Sequence, residues 1–366
     1  MSPHARDVYI AVIGTGGIGS VFIDQLANLH KTYPVHIHLI YIAMVDKALH
    51  YADYREIDIP TAVEAMEKHG AQPPSFSTVV NFLKDAPRPI IMADNTSSQG
   101  LADMYPEFLR NGISIVTPNK KAFSASYKLW KNIMEAAEAH ESFIYHESSV
   151  GAGMPIISTL KDMVETGDQI TRIEGVFSGT LSFLFNQYSS IDGSQGGEWS
   201  ETVRLAKELG YTEPDPRDDL NGLDVARKVT ILSRVAGCPI ESPKSFPVES
   251  LIPKELESMM SADEFLDKLA DFDHHMKGRR HAAHSVGKVL RYIGSVDIAT
   301  GKAEVGVQIV DKSHPAANLK GSDNIISIYT KRYGALPLTI RGAGAGGDVT
   351  AMGVTGDLLK IVKQSK

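Results

Sequence analysis

Asp224 and Lys228 are the two side chains whose types and spacing most directly suggest chemistry. They lie four residues apart, so on a helix they share one face. Val225, Val229 and Leu232 make the same segment largely apolar, which predicts that the pair is buried. An exposed pair of this kind is a helix salt bridge worth about 0.3–0.5 kcal/mol. A buried lysine oriented by a carboxylate can instead act as a proton donor, and the apolar setting favours that interpretation.

A loop rich in carboxylates precedes this pair. Pro214 and Pro216 stiffen the loop. It carries four acidic side chains, Glu213, Asp215, Asp218 and Asp219. A helix is predicted to start near Asn221 and to end at Gly237, a residue that commonly stops helices. Because a cationic ligand would relieve the repulsion among the carboxylates, the loop predicts a site for an ammonium group.

A glycine motif near the start of the sequence indicates a nucleotide site. An apolar run, residues 8–13, leads into Gly14-Thr15-Gly16-Gly17-Ile18-Gly19, and apolar residues at helical spacing follow. A strand, G-x-G-x-x-G and a helix in this order are typical of dinucleotide-binding folds. Gly14 permits the tight turn, Gly16 lets a pyrophosphate approach the backbone, and Gly19 lets helix and strand pack closely. The helix N-terminus supplies N–H donors for the phosphates.

Further short apolar runs end in polar clusters and alternate with helical segments, which predicts a parallel sheet. These strands are expected at residues 35–42, 89–93, 113–116 and 143–145. In such sheets ligands bind outside the carboxyl ends of the strands. Lys120 follows one strand, near the expected nicotinamide. Asp46 and Lys47 follow another, where an acid would hold the ribose of NAD and a base would favour the phosphate of NADP, so the cofactor preference stays open.

Composition limits the class of protein. The 366 residues, 43% hydrophobic and 22% charged, are typical of a globular chain of about two domains. A net charge of −7 argues against nucleic-acid binding, and no apolar run approaches the ~18 residues of a membrane span. Cys238 is the single cysteine, which excludes a disulfide within the chain. A cytoplasmic location is therefore expected.

The sequence resembles the homoserine dehydrogenase family along almost its whole length. The most specific stretch is Gly210 to Lys228, and the compact form is most similar to the fungal monofunctional enzymes. Beyond the opening glycine motif, the matching segments are Asp94–Ser97, Thr117–Lys121, Gly151–Pro155, Glu174–Thr180, Ser313–Pro315, Lys320–Asn324 and Gly342–Gly346. The resemblance implies NAD(P)-dependent interconversion of L-aspartate 4-semialdehyde and L-homoserine, on the route to threonine, methionine and isoleucine.

The resemblance also implies a domain organisation in an α/β protein that forms a homodimer. A Rossmann-type nucleotide-binding domain would comprise residues 1–150 and 342–366. An α+β domain for substrate binding and dimerisation would comprise residues 151–341. The chain would thus leave the nucleotide domain and return to it through the glycine-rich turn at residues 342–347, which a short helix follows.

By the same resemblance, Lys228 is the general acid, Asp224 orients it at the substrate, and Glu213 and Asp219 take the substrate ammonium. Lys120 assists at the reacting centre or the substrate carboxylate. The cofactor is NADP or NAD, with predicted contacts at Gly14, Gly16, Gly17, Ile18, Gly19, Lys47, Thr96, Ser97, Lys120, Gly210, Glu213 and Gly346. A sodium-type cation is expected on Glu147, Val150, Ala152 and Met154, mostly through main-chain carbonyls.

Two other functions compete with this one. A different two-domain NAD(P) oxidoreductase would act on a sugar or another amino acid, but the acidic loop favours an ammonium-bearing substrate. A dinucleotide-sensing dimer would have lost the reaction, yet Lys120, Asp224 and Lys228 are all present. A histidine-rich basic segment, residues 274–284, is interpreted as a solvated loop and not as a zinc site. His314 precedes a proline in a polar loop, and no catalytic role is assigned to it.

Overall fold

The computed structural model describes residues 6–29, 31, 33–87, 89–192 and 196–364. The chain divides into two compact units. The first unit runs up to Gly153 and resumes at Gly346, and the second unit comprises Met154–Ala345. No helix within the described ranges combines the length and apolar character that a membrane crossing needs.

The first unit contains a six-stranded sheet in the order β3-β2-β1-β4-β5-β6. Its strands are β1 Arg6–Ile13, β2 Val35–Ala43, β3 Ala48–His50, β4 Ile90–Asp94, β5 Ser114–Val116 and β6 Ile144–Tyr145. Every pairing is parallel except the antiparallel pair of β2 and β3. The predicted parallel sheet is therefore confirmed, and its carboxyl edge collects the loops that follow β1, β4 and β5.

The helices of the first unit cover this sheet. They are α1 Gly17–Leu29, α2 Ala62–His69, α3 Phe76–Lys84, α4 Gln99–Asp103, α5 Tyr105–Arg110, α6 Lys120–Ser124, α7 Tyr127–Ala139 and, from the end of the chain, α15 Gly347–Gln364. Phe22 and Leu26 of α1 share a buried cluster with Val354 and Leu358 of α15. This apolar contact makes the last helix part of the first unit.

The second unit contains a five-stranded antiparallel sheet in the order β11-β10-β7-β8-β9. Its strands are β7 Ile170–Val176, β8 Val289–Asp297, β9 Ala303–Val310, β10 Asp323–Thr330 and β11 Leu338–Ala343. Its helices are α8 Ile157–Glu165, α9 Gly179–Tyr188, α10 Trp199–Glu208, α11 Arg217–Leu220, α12 Leu223–Val235, α13 Ala262–Leu269 and α14 Asp273–Ser285. Val225 and Val229 of α12 lie close to Gly294 on β8, so this helix packs on the sheet.

Two element boundaries differ from the prediction near the end of the chain. Gly342 and Ala343 are not part of the glycine-rich turn but belong to β11, where Gly342 pairs with Asn324. The helix that follows is not short, since α15 has 18 residues. The strand extends because β10 supplies a continuous antiparallel partner as far as Asp323.

The histidine-rich segment is a helix and not the predicted solvated loop. Residues Asp273–Ser285 form α14. Arg280 on this helix donates to the carbonyls of Tyr188, Gly196 and Gly197. The apolar pattern of this polar segment does not predict a helix, and these long-range contacts hold the helix in place.

The helix that carries the Asp224–Lys228 pair starts two residues later than predicted, at Leu223. Gly222 precedes it in the left-handed conformation, with φ of +73°. A Cβ on Gly222 would lie 2.1 Å from the hydroxyl oxygen of Tyr292. Glycine is needed here both for the backbone angle and for the close approach of Tyr292.

Candidate active site

The turn between β1 and α1 has the conformation that its glycines predict. Gly14 has φ of +94°. A Cβ on Gly19 would lie 1.9 Å from the carbonyl oxygen of Gly14, so only glycine lets α1 start this close to the turn. A Cβ on Gly16 or Gly17 would have no described atom within 4 Å. The open space therefore lies at the helix N-terminus, where backbone N–H groups can receive a phosphate.

Asp94 organises the carboxyl edge of the first sheet. This side chain is fully buried. It accepts hydrogen bonds from the hydroxyl of Tyr105 (2.5 Å), the side-chain amide of Asn119 (3.0 Å) and the backbone N–H of Thr96 (2.7 Å). Burial raises the pKa of Asp94, although these hydrogen bonds oppose the rise. Since Asp94 ends β4 and Asn119 follows β5, the cluster fixes the two loops that are predicted to face the cofactor.

Polar atoms without partners lie beside this cluster. Thr15 Oγ1 and both polar side-chain atoms of Asn95 are buried and have no hydrogen-bond partner among the described residues. Buried polar groups are normally satisfied. Their position, in the glycine turn and directly after β4, fits the polar groups of a dinucleotide. Thr96 and Ser97 continue the same loop, and Ser97 is exposed.

Lys120 is the first residue of α6 and is half-buried. The side chain of Asn119 caps this helix by accepting the N–H of Lys121 at 3.1 Å. The same Asn119 also binds Asp94, so the buried cluster determines where α6 and Lys120 begin. Ile18 lies in the first turn of α1, next to the glycine turn.

The remaining cofactor predictions for the first unit concern Lys47 and Gly346. Lys47 follows β2, and its ammonium donates to the carbonyl of Glu67 at 2.5 Å. Gly346, with φ of +124°, directly precedes α15. A Cβ on the next residue, Gly347, would lie 3.6 Å from the carbonyl oxygen of Gly17. The structure thus brings the second glycine turn next to the first.

Lys228 is buried in the second unit, as its apolar neighbours predict. Its side chain is only 8% exposed, against 40% for Asp224. Lys228 Nζ lies 2.8 Å from Asp224 Oδ2 and donates to the carbonyl oxygen of Phe177 at 2.6 Å. Two acceptors from different elements therefore hold the ammonium in one orientation.

Asp219 lies at the centre of the acidic loop. Its Oδ2 accepts the backbone N–H of Glu213 at 2.8 Å. The Thr180 hydroxyl lies 2.8 Å from Asp219 Oδ1 and 2.6 Å from the carbonyl oxygen of Tyr211, and it can donate to either. Burial raises the pKa of Asp219, and the charges of Glu213 and Asp224 raise it further, against the hydrogen bonds. This carboxylate therefore lies in a field that favours a cationic ligand.

The other loop acids differ from Asp219. The guanidinium of Arg217 binds Asp215 through Nε and Nη2, at 3.0 and 2.6 Å, and lowers its pKa. Asp215 thus has its own cation, and Asp218 is exposed. Gly210, with φ of +74°, is also exposed and lies before the loop. Of the predicted site residues, the second unit brings together Glu213, Asp219, Asp224 and Lys228.

The predicted cation loop is linked to the last helix. Three of its residues lie in the first unit, namely Glu147, Val150 and Ala152, whereas Met154 belongs to the second. The N–H of Glu147 donates to Asp357 Oδ2 at 2.7 Å, and Lys360 Nζ lies 3.5 Å from Glu147 Oε2. Because this ammonium offsets the charge of Glu147, a cation here would depend on backbone carbonyls. The cation stays a prediction.

Sequence reasoning missed three partners of the site, Asp94, Phe177 and Thr180. The resemblance marked the segments that contain them but assigned them no role. Phe177 and Thr180 flank the junction of β7 and α9, which is a usual place for functional groups. His314 Nε2 lies 3.6 Å from Glu174, which also accepts the hydroxyl of Tyr329 at 2.7 Å. These contacts give His314 a structural setting.

Comparison with known proteins identifies the family. The model "Homoserine dehydrogenase, NAD binding domain" matches residues 14–147, and "Homoserine dehydrogenase" matches residues 155–359. A homoserine dehydrogenase of Emericella nidulans is 54% identical over 98% of this chain and 99% of its own. One from Saccharomyces cerevisiae is 49% identical over 98% of each chain. A Candida auris crystal structure described as a protein of unknown function is 46% identical, with a TM-score of 0.93 over 98% of this chain and 99% of its own.

Proposed function

Because this chain belongs to the homoserine dehydrogenase family, whose members interconvert L-aspartate 4-semialdehyde and L-homoserine with NAD(P), we propose that Lys228 is the proton donor of its reaction. In the biosynthetic direction, toward threonine, methionine and isoleucine, bound reduced nicotinamide supplies a hydride to the aldehyde carbon. Negative charge then grows on the aldehyde oxygen. The ammonium of Lys228 stabilises this charge and delivers the proton that completes the alcohol.

The observation that carries this proposal is the buried position of Lys228 between Asp224 and the carbonyl of Phe177. A lysine on the surface would be hydrated and mobile, and its charge would be screened. Burial strengthens its field at a neighbouring oxygen. Asp224 orients the ammonium, so it acts as a positioning group as well as part of the substrate site.

We assign the substrate ammonium to Glu213 and Asp219, with Asp224 close by. The mutual effects of these carboxylates on the pKa of Asp219 support this assignment. Three carboxylates against the one ammonium of Lys228 leave the cluster negative. A substrate that carries an α-ammonium group offsets this charge, which a sugar does not.

We assign the cofactor to the glycine turn, to Thr96 and Ser97, and to the turn at Gly346. Open space at Gly16 and the unpartnered atoms of Thr15 and Asn95 support this assignment. Lys47 is the group that would meet the phosphate of NADP. In the second unit, Gly210 and Glu213 are assigned to the edge of the cofactor site. Lys120 is assigned to the substrate carboxylate or the reacting centre.

We further propose that the protein is a cytoplasmic homodimer whose second unit provides the contact between copies. A monovalent cation at Glu147, Val150, Ala152 and Met154 completes the proposal. Sedimentation equilibrium should then give twice the 39.8 kDa mass of one chain. A measured mass of 39.8 kDa would contradict the dimer and would leave the assignment of Lys228 unaffected.

One assay tests the reaction. The protein is mixed with L-homoserine and either NAD or NADP, and the absorbance of the reduced nicotinamide is followed. We expect an increase with at least one cofactor. No increase with either, from neutral to alkaline pH, would contradict the function. A normal rate in Lys228→Ala would contradict the proton-donor role alone.

A further inference from the structure

A second cluster of chemically active side chains lies at the amino ends of β1 and β2, away from the carboxyl edge. Asp7 on β1 pairs in parallel register with His36 on β2. His38 lies two residues further, and residues two apart on a strand share a face. Val35, Ile37 and Leu39 alternate with them and are buried. The two histidines and Asp7 therefore project together from the outer face of the sheet.

Two of the three distances within this cluster are close to those between the ligand atoms of a metal site. Asp7 Oδ1 lies 3.2 Å from His36 Nδ1 and 3.2 Å from His38 Nε2. All three atoms lie within 4.8 Å of one another. A tetrahedral zinc ion with bonds of about 2.0–2.2 Å to N and O places its ligand atoms roughly 3.3 Å apart. A small shift of the exposed His36 ring would complete the triangle.

Glu56 supplies a carboxylate partner for the second ring nitrogen of His38, as metal-binding histidines usually have. Its carboxylate contacts Nδ1 of His38, the ring nitrogen opposite the one that faces Asp7. A carboxylate in this position orients a metal-binding histidine and leaves its other nitrogen as an acceptor. The ring of Tyr9 packs edge-on against His38, with centroids 5.0 Å apart. The His38 side chain is 14% exposed and that of His36 60%, so the cluster is fixed on one side and open to solvent on the other.

We propose that Asp7, His36 and His38 form a binding site for a divalent transition-metal ion of the Zn²⁺ class. Two imidazoles and one carboxylate suit such ions, and hard cations such as Mg²⁺ prefer oxygen ligands alone. Water completes the coordination on the open side. The ion ties β1 to β2 and, through Glu56, to the segment after β3. Gly14 lies seven positions after Asp7, roughly 23 Å along the strand at about 3.3 Å per residue. The ion is therefore structural and takes no part in the dehydrogenase reaction.

The test uses the full chain, freed of metal by a chelator and dialysed. Zn²⁺ is titrated by calorimetry, and Co²⁺ is added as a visible-absorption probe of tetrahedral coordination. We expect one tight equivalent and a Co²⁺ spectrum that Zn²⁺ abolishes. His36→Gln/His38→Gln should lose both signals. Since removal of an outer carboxylate typically weakens metal binding about 10- to 100-fold, Glu56→Gln should keep the site with affinity reduced by that factor.

A matched control is available on α14. The rings of His274 and His275 are also neighbours, with centroids 4.2 Å apart, close to the 4.3 Å between His36 and His38. His274→Gln/His275→Gln should keep the tight equivalent and the Co²⁺ spectrum. If the double variant at His36 and His38 misfolds by circular dichroism, the single change at the exposed His36 serves instead. A tight equivalent that survives the changes at His36 and His38, or no tight equivalent in the unchanged protein, would show that the cluster is only hydrogen-bonded.

Discussion

Asp94 in the first unit and Asp219 in the second are both carboxylates whose pKa burial raises, yet their surroundings differ. Asp94 is fully buried and receives three donors in a closed cluster. Asp219 receives the N–H of Glu213 and faces two further carboxylates. The first arrangement is complete without a ligand, whereas the second sets three carboxylates against the one ammonium of Lys228. This difference separates a carboxylate that organises a site from one that we propose binds the substrate ammonium.

The two carboxylates also differ in whether the side-chain amide of asparagine could replace them without losing a hydrogen bond. Both acceptor positions of Asp94 face an N–H donor, from Thr96 on Oδ1 and from Asn119 on Oδ2. An asparagine at position 94 has only one side-chain oxygen, so its NH₂ group would face one of these two N–H donors. At Asp219, one position faces the hydroxyl of Thr180, which can accept as well as donate. The same substitution is therefore expected to damage the fold in one unit and only the ligand in the other.

The largest effect is expected at the residue that the acidic cluster orients. Lys228→Met removes the proposed proton donor and, with it, the charge proposed to stabilise the alkoxide. Proton transfer by a positioned group contributes about 100- to 10,000-fold to rate, so kcat for homoserine oxidation should fall in that range. Lys207→Met is the control, because Lys207 pairs with the exposed Asp263 on the surface. A kcat for Lys228→Met within a few-fold of the control would remove Lys228 from the mechanism.

The next effect is on stability in the first unit. In Asp94→Asn, the new NH₂ group faces one buried N–H donor, which is left without an acceptor. This lowers the free energy of unfolding by about 1–3 kcal/mol. The urea midpoint should fall accordingly, and the KM for the dinucleotide should rise as the two loops loosen. Asp103→Asn, on the exposed side of α4, should change neither. If Asp94→Asn kept both the midpoint and the KM of the unchanged protein, Asp94 would not organise the site.

The contrast also shows which parts of the site the sequence could predict. The glycine turn, its strand and its helix follow from local chemistry, and so does the pair of Asp224 and Lys228, four residues apart on one helix. The contacts of Lys228 with Phe177 and of Asp219 with Thr180 join residues 51 and 39 apart, so only the fold reveals them. The helix α14 was missed for the same reason, because distant carbonyls hold Arg280.

A smaller effect, on substrate binding alone, is expected for Asp219→Asn. A hydrogen bond to a charged group is worth about 1.5–3 kcal/mol, and each 1.4 kcal/mol is about tenfold in affinity. The KM for L-homoserine should rise at least about tenfold, with the urea midpoint no lower than in the unchanged protein. Asp218→Asn is the neighbouring exposed control and should leave the KM unchanged. A lowered urea midpoint with an unchanged KM for L-homoserine would show that Asp219, like Asp94, has a structural role.

The smallest effect is the pH dependence that the raised pKa of Asp219 imposes on stability. A carboxyl group whose pKa is higher in the folded than in the unfolded protein binds more protons when folded. Its contribution to stability is complete below the unfolded pKa, near 4, and is lost as pH rises through the folded pKa. Asparagine at this position does not titrate. The unfolding free energy of Asp219→Asn, relative to the unchanged protein, should therefore increase as pH rises from about 4 to 7.

The ligand should weaken this trend, because the ammonium of L-homoserine offsets the excess negative charge of the cluster. With saturating L-homoserine, the ionised form of Asp219 gains a partner, and its pKa should fall toward the usual value. The stability difference between Asp219→Asn and the unchanged protein should then increase less with rising pH. Asp94 is closed to the substrate, so Tyr105→Phe, which removes one of its donors, should show no such dependence on L-homoserine. Urea unfolding at several pH values, with and without the amino acid, measures both trends. A pH trend at Asp219 that L-homoserine leaves unchanged would mean that this carboxylate, like Asp94, serves the fold and not the ligand.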